Sequence, residues 1–381
     1  MKKILFRKLL SDYIKFFLIS IICTSVVIWV FQAVNYLDII IEDGRDYLVY
    51  IKFSLLNLPK IISKLYPFVL FFSLFYITVR YELNNELIIF WNFGVHKIEI
   101  VNFILRTSII LFCFQIILTA FIVPKSQDLA RSFLKNSEVN FFDNFIKPQK
   151  FNDTIKGLTI YSDQKDSEGN LINLYLKKDL GNKDFQITYA KKGKFKLIGS
   201  TPVLVLKDGA TITSKKNEIT NISFSKSDFS LANVETNTTT YKKTQELSSL
   251  KIIKCINSFY KIEQNKFNVL NKHIENCSIQ NIENILKEFY KRFIIPMYIP
   301  ILCLVPFLLI TLSKESSQYN KLRLSTFLIG LSFIIFSETT IKFISKITSQ
   351  NLVLTLLPLI FSFVIYLYLF SKFKMKLSKI I

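Results

Sequence analysis

The sequence predicts an α-helical membrane protein with six transmembrane helices, arranged as three and three around an inserted all-β domain of β-jellyroll type. Half of the 381 residues are hydrophobic, yet the formal net charge is +21. The apolar residues gather in runs long enough to cross about 30 Å of hydrocarbon. Residues 125–290 form a polar region without such a run. Together these observations predict a membrane protein with a large extramembrane domain.

The charge excess does not indicate a nucleic-acid-binding protein. Lysines are spread along the chain, and no basic stripe is interleaved with aromatic residues. A membrane protein with basic flanks and a polar domain combines high charge with high hydrophobicity readily. We expect no cleavable signal peptide, because the N-terminal apolar run is too long and lacks a small-residue cleavage site.

The first three spans are separated by a short acidic loop and a short polar connector. They are predicted at Tyr13–Val34, Lys52–Val79 and Ile98–Val123. The chain is basic before the first span and acidic at residues 38–46, so the positive-inside rule places the N-terminus in the cytoplasm. Lys60 and Lys64 lie one helical turn apart in the second span. They either snorkel to the outer interface or face a cavity.

The polar connector after the second span has the pattern of a short amphipathic helix over 82–94. Glu82 and Glu86 lie one turn apart. The apolar residues at helical spacing are Leu83, Leu87 and Phe90. We expect Leu87 and Phe90 to face the membrane, and Gly94 to end the helix in a left-handed conformation. Such a helix offers carboxylates to a partner, or is only a solvated connector.

The polar region begins with helix-like spacing and continues with short runs typical of β-strands. The predicted strands are Leu158–Ser162, Leu171–Lys177, Phe185–Ala190, Lys194–Ile198, Pro202–Leu206, Thr211–Ser214 and Ile219–Phe224. Turn residues such as Lys207-Asp208-Gly209 separate them. Regularly spaced short strands predict an antiparallel sandwich or jelly roll. Cys255 and Cys277 either pair in an oxidising compartment or remain free thiols.

The last three spans are predicted at Phe293–Leu312, Leu324–Ile344 and Leu352–Phe370. Basic residues in the 313–323 connector and in the tail place both termini in the cytoplasm and the β domain outside. The fifth span contains Glu338 and Lys342 one turn apart, either as a functional pair or as a self-neutralising one. The predicted division is 1–124 for the first three spans, 125–290 for the β domain and 291–381 for the last three spans.

Motifs of catalysis and nucleotide binding are absent from the sequence. It contains no P-loop, no nucleophile elbow and no C-x-x-C pair. With only His96 and His273, a histidine-rich metal site is out of reach. We therefore expect a protein that is not an enzyme and holds no cofactor or metal. Any ATP hydrolysis would take place in a separate subunit.

Three stretches resemble the LptF/LptG (YjgP/YjgQ) permeases of the lipopolysaccharide-export ABC transporter. The connector Asn85 to Val95 is similar to the family's Ser-Glu, then Leu or Ile, six further residues, Gly and an apolar residue. Leu58-Pro59 with Leu65-Tyr66-Pro67, and Arg292 to Pro306, are similar too. The last stretch favours LptF over LptG. The layout of three spans, a periplasmic β-jellyroll and three spans covers essentially the whole chain.

The resemblance implies a permease that extracts lipopolysaccharide from the inner membrane for outer-membrane biogenesis. The segment around Glu86 would be the coupling helix that docks on an LptB-like ATPase, with Glu82, Leu87, Phe90 and Gly94 as its other residues. A second LptF-like or LptG-like permease would complete a heterodimer. The β domain would pass the lipid to LptC-like and LptA-like periplasmic proteins.

One departure from the family concerns lipid binding. Family members hold lipid A phosphates with basic residues near the outer end of the first span, but Phe16 to Gly44 contains no Lys or Arg. The candidates for lipid contact are Arg45, Lys60, Lys64, Glu338 and Lys342. The alternative function is a membrane-anchored scaffold that transports nothing and binds periplasmic proteins through its β domain. Co-purification of an ATPase would separate the two functions.

Overall fold

The computed structural model describes eleven stretches of the chain. They are residues 2–37, 47–136, 148–155, 157–166, 169–181, 184–198, 201–215, 218–230, 243–263, 276–346 and 348–378. The chain divides into two compact units. The first comprises Met1–Phe31, Leu56–Asp128 and Lys242–Ile381, and the second comprises Gln32–Leu55 and Leu129–Tyr241.

Six helical segments within these stretches are long and apolar enough to cross a membrane, which confirms the predicted number. They are Lys2–Asn35, Tyr47–Leu83, Lys97–Leu134, Ile282–Thr311, Tyr319–Phe343 and Ser349–Lys374. Each is longer than the apolar run that predicted it. A helix continues into its polar flanks as long as its backbone hydrogen bonds are satisfied, whereas hydropathy marks only the apolar part.

The helices that precede the β domain are α1 (Lys2–Asn35), α2 (Tyr47–Leu56), α3 (Leu58–Leu83), α4 (Glu86–Asn92), α5 (Lys97–Ile117) and α6 (Val123–Asn136). A π-helical turn at Leu118–Ile122 joins α5 to α6. Single π-helical turns inside an α-helix are frequent at functional sites, because they redirect backbone carbonyls away from the helical ladder.

The helices that follow the β domain are α7 (Ser249–Glu263), α8 (Ile282–Phe293), α9 (Ile299–Leu304), α10 (Tyr319–Thr340) and α11 (Thr348–Ser378). Short 3-10 turns occur at Thr244–Glu246, Ile295–Tyr298, Val305–Thr311 and Ile341–Phe343. In the fourth span, Pro296, Pro300 and Pro306 are each the second residue of a new segment. Proline lacks a backbone N–H, so each one interrupts the α-helical ladder.

The fourth span is the centre of the first unit. In its most apolar window 78% of the residues are buried, compared with 11% in the sixth span. A helix that is apolar all round and also buried is a core helix. Close packing extends to the fifth span, where a Cβ on Gly330 would lie 2.0 Å from a ring carbon of Phe71. Small residues allow helices to approach this closely in membranes.

The inserted β domain contains six described strands. They are β1 (Asn152–Ile155), β2 (Leu158–Lys165), β3 (Leu171–Gly181), β4 (Asp184–Ile198), β5 (Thr201–Lys215) and β6 (Glu218–Ser230). They form one antiparallel sheet in chain order. The inserted antiparallel β domain is confirmed. The described strands form a meander, in which each strand pairs with the next one along the chain. The strand spacing predicted a sandwich or jelly roll, but spacing alone does not determine which strands pair.

Two of the predicted turns are strand interiors. Strand β5 runs through Lys207-Asp208-Gly209, and its pairing with β4 keeps one register on both sides of Asp208. A Cβ on Gly209 would lie 2.1 Å from the Tyr189 carbonyl oxygen. This glycine therefore permits a close approach of neighbouring strands, and it does not turn the chain. Strand β4 likewise joins two predicted strands across Gly193.

One face of the sheet carries the apolar core of the second unit. Its buried residues are Leu158, Ile160, Leu171, Leu174, Leu176, Ala190, Leu204 and Leu206. Side chains alternate between the two faces of a regular strand, so a residue between two core residues that are spaced two apart, such as Tyr175 between Leu174 and Leu176, points to the opposite face.

Cys255 and Cys277 form a disulfide bond, so the bonded alternative is the one found. The bond ties α7 to the segment that leads into α8. Cys255 is buried in an apolar cluster with Leu247, Ile252 and Ile285. Among the described cysteines, Cys23, Cys113 and Cys303 are free.

Candidate functional site

The connector between the second and third spans is broken into two helices. Helix α3 ends at Leu83, and α4 begins at Glu86. Between them Asn85 adopts a left-handed conformation with φ of 62°. Asparagine visits this conformation more readily than most residues, because its short amide can hydrogen-bond locally. The helix is therefore shorter than the predicted 82–94, and Glu82 and Glu86 do not lie one turn apart on it.

Leu87 and Phe90 fix α4 to the rest of the first unit. Each side chain is 3% exposed and belongs to the main helical core. The Phe90 ring lies 6.4 Å from the rings of both Phe6 and Tyr81. The expectation that these two residues face the membrane is wrong, because the neighbouring helices cover them. Burial of each side chain stabilises this arrangement by about 1.5–3 kcal/mol.

Gly94 ends α4 as predicted. Its φ is 69°. Its N–H donates to the Trp91 carbonyl at 3.0 Å, and the Val95 N–H donates to the Phe90 carbonyl at 3.0 Å. This pair of bonds is a Schellman motif, and the burial of Val95 beside Phe90 supplies the apolar contact that accompanies it. The end of α4 is thus fixed by both backbone bonds and packing.

Glu82 is engaged within the chain. Its carboxylate accepts a hydrogen bond from the Lys314 backbone N–H at 3.2 Å, and the Lys314 ammonium donates to the Leu83 carbonyl at 3.2 Å. These contacts join the end of α3 to the connector between the fourth and fifth spans. Glu82 was predicted as a coupling residue, and in this structure its contacts are internal ones.

Glu86 differs from Glu82. In the part of the chain that the structure describes, its half-buried carboxylate forms no hydrogen bond and no ion pair. Around it, α4 and the turn after it expose apolar side chains. These are Ile88 at 48%, Ile89 at 47% and Phe93 at 46% exposure. We call Glu86, Ile88, Ile89 and Phe93 the α4 face. One carboxylate among exposed apolar side chains is a composition suited to contact with another protein.

A second site is a polar cavity of about 50 Å³ among the helices of the first unit. We call it the polar pocket. Its charged lining residues are Lys60, Lys64, Lys291, Arg292, Glu288 and Glu338. Positive charges therefore exceed negative ones by two.

Lys60 faces the polar pocket. Its ammonium donates to the side-chain oxygens of Gln127 at 3.4 Å and Gln245 at 3.3 Å. Of the two predicted alternatives for Lys60, facing a cavity therefore fits the structure better than snorkelling to the interface. Lys64 also lines the pocket, but its side chain is exposed.

Gln115 joins two helices, as expected of a polar residue within a span. Its amide nitrogen donates to the Ser63 carbonyl at 2.9 Å. The amide oxygen is buried at the polar pocket and has no hydrogen-bond partner within the described residues. It is therefore an acceptor that an entering donor group or water can use.

Arg292 is the most connected residue of the pocket and is 2% exposed. Its guanidinium forms an ion pair with Glu288 at 2.9 Å. It also donates to the carbonyls of Leu247 at 2.7 Å and Gln245 at 2.9 Å, and to the Ser249 hydroxyl at 3.0 Å. We call these five residues the Arg292 junction. It ties α8 to the segment that returns from the β domain.

The π-helical turn contacts the Arg292 junction. The Thr119 hydroxyl donates to the Arg292 carbonyl at 2.8 Å, and the Ser249 hydroxyl donates to the Ala120 carbonyl. The turn thereby supplies a carbonyl that a regular α-helix would use internally. The third span, the fourth span and the returning segment meet at this point.

The remaining predicted lipid-contact residues are separated. Arg45 lies outside the described residues. Glu338 lines the polar pocket, but Lys342 is not among the lining residues. In the described part of the chain these two side chains form no ion pair. Helix α10 ends at Thr340 and a 3-10 turn follows, so the i,i+4 geometry is lost.

Glu288, Lys291 and Arg292 were missed as pocket residues. Glu288 and Arg292 are spaced i,i+4 in the sequence, which is a signal for an ion pair on a helix. That spacing does not indicate a pocket, because other residues that line the pocket, such as Gln245 and Lys60, come from distant parts of the chain.

Residues 7–372 match the family model of the lipopolysaccharide export system permease LptF/LptG. The chain belongs to the LptF/LptG family. The match covers almost the whole chain and does not distinguish LptF from LptG. No curated protein matches the chain. Family membership and the six apolar helices make the chain a multi-pass inner-membrane permease of lipopolysaccharide export.

Proposed function

We propose that this LptF/LptG-family chain is the non-catalytic membrane subunit of an ATP-driven transporter. In this proposal the transporter extracts lipopolysaccharide from the inner membrane and hands it to periplasmic proteins. The sequence carries no nucleotide-binding motif, so a separate LptB-like subunit hydrolyses ATP. The chain itself uses no cofactor.

The observation that carries the proposal is the α4 face. Its Glu86 carboxylate has no internal partner among the described residues, so an Arg or backbone N–H of an ATPase can donate to it. Leu87 and Phe90 are buried, and Gly94 ends the helix with two backbone bonds. A helix anchored in this way transmits a push from a partner to α3 and α5 as a rigid body.

The Cys255–Cys277 disulfide supports the proposed orientation. Disulfides persist in oxidising compartments such as the periplasm and are rare in the cytoplasm. The bond lies between the third and fourth spans, as the β domain does. In the proposed orientation the β domain is periplasmic, and both termini and the α4 face are cytoplasmic. This arrangement agrees with the basic residues near the ends of the spans.

The partners follow from this arrangement. A second permease completes a heterodimer against the lipid-facing spans, of which the first and sixth have only 17% and 11% of their apolar windows buried. The β domain delivers lipid to LptC-like and LptA-like proteins. The polar pocket receives anionic groups of the lipid, because its positive charges exceed the negative ones and lie among apolar helices.

The test is a charge reversal at the α4 face. We expect Glu86→Lys to abolish co-purification of the ATPase and lipopolysaccharide export while the protein still folds. The matched control is Glu315→Lys, which makes the same change at an exposed residue of the next short connector. Full ATPase-coupled export by Glu86→Lys would contradict the proposal. Failure of the wild-type chain to bind any ATPase would favour the non-transporting scaffold.

A further inference from the structure

Three tyrosines form a row across the sheet. Tyr161 pairs directly with Tyr175, and Tyr175 pairs directly with Tyr189, on strands β2, β3 and β4. Phe151 extends the row, with its ring centroid 4.9 Å from that of Tyr161. The rings of Tyr175 and Tyr189 lie 5.1 Å apart. The neighbours of these tyrosines along each strand are buried, so the tyrosines lie on the opposite face.

The row is accessible. Phe151 is 66% exposed and Tyr189 is 49% exposed. A groove of about 340 Å³ lies over Tyr161, Tyr175 and Tyr189, within the range of small-molecule sites. An exposed row of aromatic rings with a groove above it is unusual for a sheet face that merely meets water, where polar side chains prevail.

A polar row forms the wall of the groove. Asn173, Lys191 and Asp208 line it on β3, β4 and β5. The Asn173 amide donates to the Asp163 carboxylate at 2.9 Å. The same carboxylate raises the pKa of Tyr161 by accepting a hydrogen bond from its hydroxyl. The wall therefore offers a carboxylate, an amide and an ammonium beside the rings.

The backbone of this wall is locally strained. Asn173 has φ of 51° and Asp208 has φ of 53°, both inside strands. Left-handed conformations are uncommon for non-glycine residues and concentrate at functional sites. The strand register is the same on both sides of each residue. The left-handed conformation thus changes the direction of these two side chains, while the strand pairing on either side continues unchanged.

We propose that the tyrosine row and its polar wall form a binding platform for a pyranose ring of a saccharide. The faces of phenol rings are electron-rich and attract the C–H groups on the apolar side of a pyranose. Asn173, Lys191 and Asp208 match the hydroxyl groups at its rim, since they supply both donors and acceptors.

Two other ligand classes fit this groove less well. An acyl chain would desolvate the charged wall without compensation. An extended peptide that adds to a sheet requires an open edge, and the groove lies in the interior of the sheet, where β3 and β4 are paired on both sides. A saccharide uses both the rings and the polar wall.

The saccharide comes from the glycan part of a lipid-linked saccharide, and this assignment of its source rests on the proposed function. The binding itself does not. A free saccharide binds the same platform, and its binding requires neither ATP nor a partner subunit.

The experiment uses the full chain in lipid nanodiscs, because maltoside detergents carry a sugar that would compete. The probes are a glucose hexamer and the saccharide released from purified lipopolysaccharide by mild acid, both observed by saturation-transfer NMR and titration. We expect at least one probe to bind the wild type. We expect Tyr175→Ala and Tyr189→Ala to weaken that binding by about fivefold or more, and Tyr189→Phe to retain most of it. Intact lipopolysaccharide should compete with the free probe.

The control is Ile222→Ala, which removes a side chain that is 64% exposed. Ile222 pairs with Thr211, Thr211 pairs with the buried Thr188, and Thr188 pairs with the core residue Leu176. Ile222 therefore belongs to the core face of the sheet and not to the tyrosine face. Unchanged binding by this variant supports a site restricted to the tyrosine face. Tyr189 is exposed, so its replacement leaves the core intact.

Two outcomes would overturn the platform. They are failure of both saccharides to bind, and equal binding by Tyr189→Ala and wild type. If neither saccharide binds and Tyr189→Ala loses a periplasmic protein partner, the tyrosine face is a protein-binding surface instead. Failure of export with retained saccharide binding would instead contradict the proposed function and leave the platform supported.

Discussion

Arg292→Ala is the substitution with the best-defined energetic cost. In the Arg292 junction one buried guanidinium joins α8 to the segment that returns from the β domain. Removal of the guanidinium leaves the Glu288 carboxylate, which is 17% exposed, without its cation. Two carbonyls and the Ser249 hydroxyl lose their donor at the same time.

The expected loss of stability is about 3–5 kcal/mol, the range for a buried ion pair broken by removal of one partner. Arg292→Lys retains the charge but replaces a planar fork of donors by one ammonium. We expect it to lose about 1.5–3 kcal/mol, equivalent to a hydrogen bond to a charged group. The double variant Arg292→Ala with Glu288→Leu should recover part of the loss, because it no longer buries an unpaired carboxylate.

The assay is the free energy of unfolding from a titration with denaturing detergent in mixed micelles, followed by circular dichroism. Lys291→Ala is the control, since it changes the adjacent residue without removing a bond of the junction, and we expect it to cost about 1 kcal/mol or less. An Arg292→Ala variant within about 1 kcal/mol of wild type would refute the reasoning. A double variant no more stable than the single one would show that the unpaired carboxylate is not the cause.

Two further predictions concern the polar pocket and the disulfide. Lys60→Met with Lys64→Met removes two positive charges, and we expect crosslinking of lipopolysaccharide to fall by about tenfold or more, since a hydrogen bond to a charged group contributes about 1.5–3 kcal/mol. Cys255→Ser removes the disulfide, which spans 22 residues. We expect the free energy of unfolding to fall by about 3 kcal/mol, from the loop entropy that the bond removes.

Each of these predictions has a control on the same chain. Lys346→Met changes an exposed lysine outside the pocket and should leave crosslinking unchanged. Equal crosslinking by the Lys60/Lys64 variant and wild type would exclude the pocket as a lipid site. Cys113→Ser changes an exposed free thiol. If reductant does not alter the wild-type unfolding midpoint, the disulfide does not stabilise the fold.

The six spans and the end of α4 could be predicted because their causes are local. A run of apolar residues is sufficient for a span. The position of Gly94 after an amphipathic turn is sufficient for a helix stop. The break at Asn85 is also local, but Asn84-Asn85 is compatible with a helix interior as well as with a turn, and propensity decides weakly between them.

The polar pocket could not be predicted because its residues come from five distant parts of the chain. Lys60 meets Gln245 across 185 positions. The tyrosine row did leave a signal, since Tyr161, Tyr175 and Tyr189 recur every 14 residues. An interval of 14 residues brings the three tyrosines opposite one another only in one register of β2, β3 and β4. The strands pair in that register, but the spacing of residues along the sequence does not reveal it.

The most direct test of the central claim is lipopolysaccharide transport by a reconstituted complex. The chain and the subunits that co-purify with it are placed in proteoliposomes, and lipopolysaccharide transfer to a soluble LptA-like acceptor is followed with and without ATP. We expect ATP-dependent transfer with the wild-type chain and with Glu315→Lys, and none with Glu86→Lys. Equal transfer by Glu86→Lys and wild type, or ATP-dependent transfer without this chain, would contradict it.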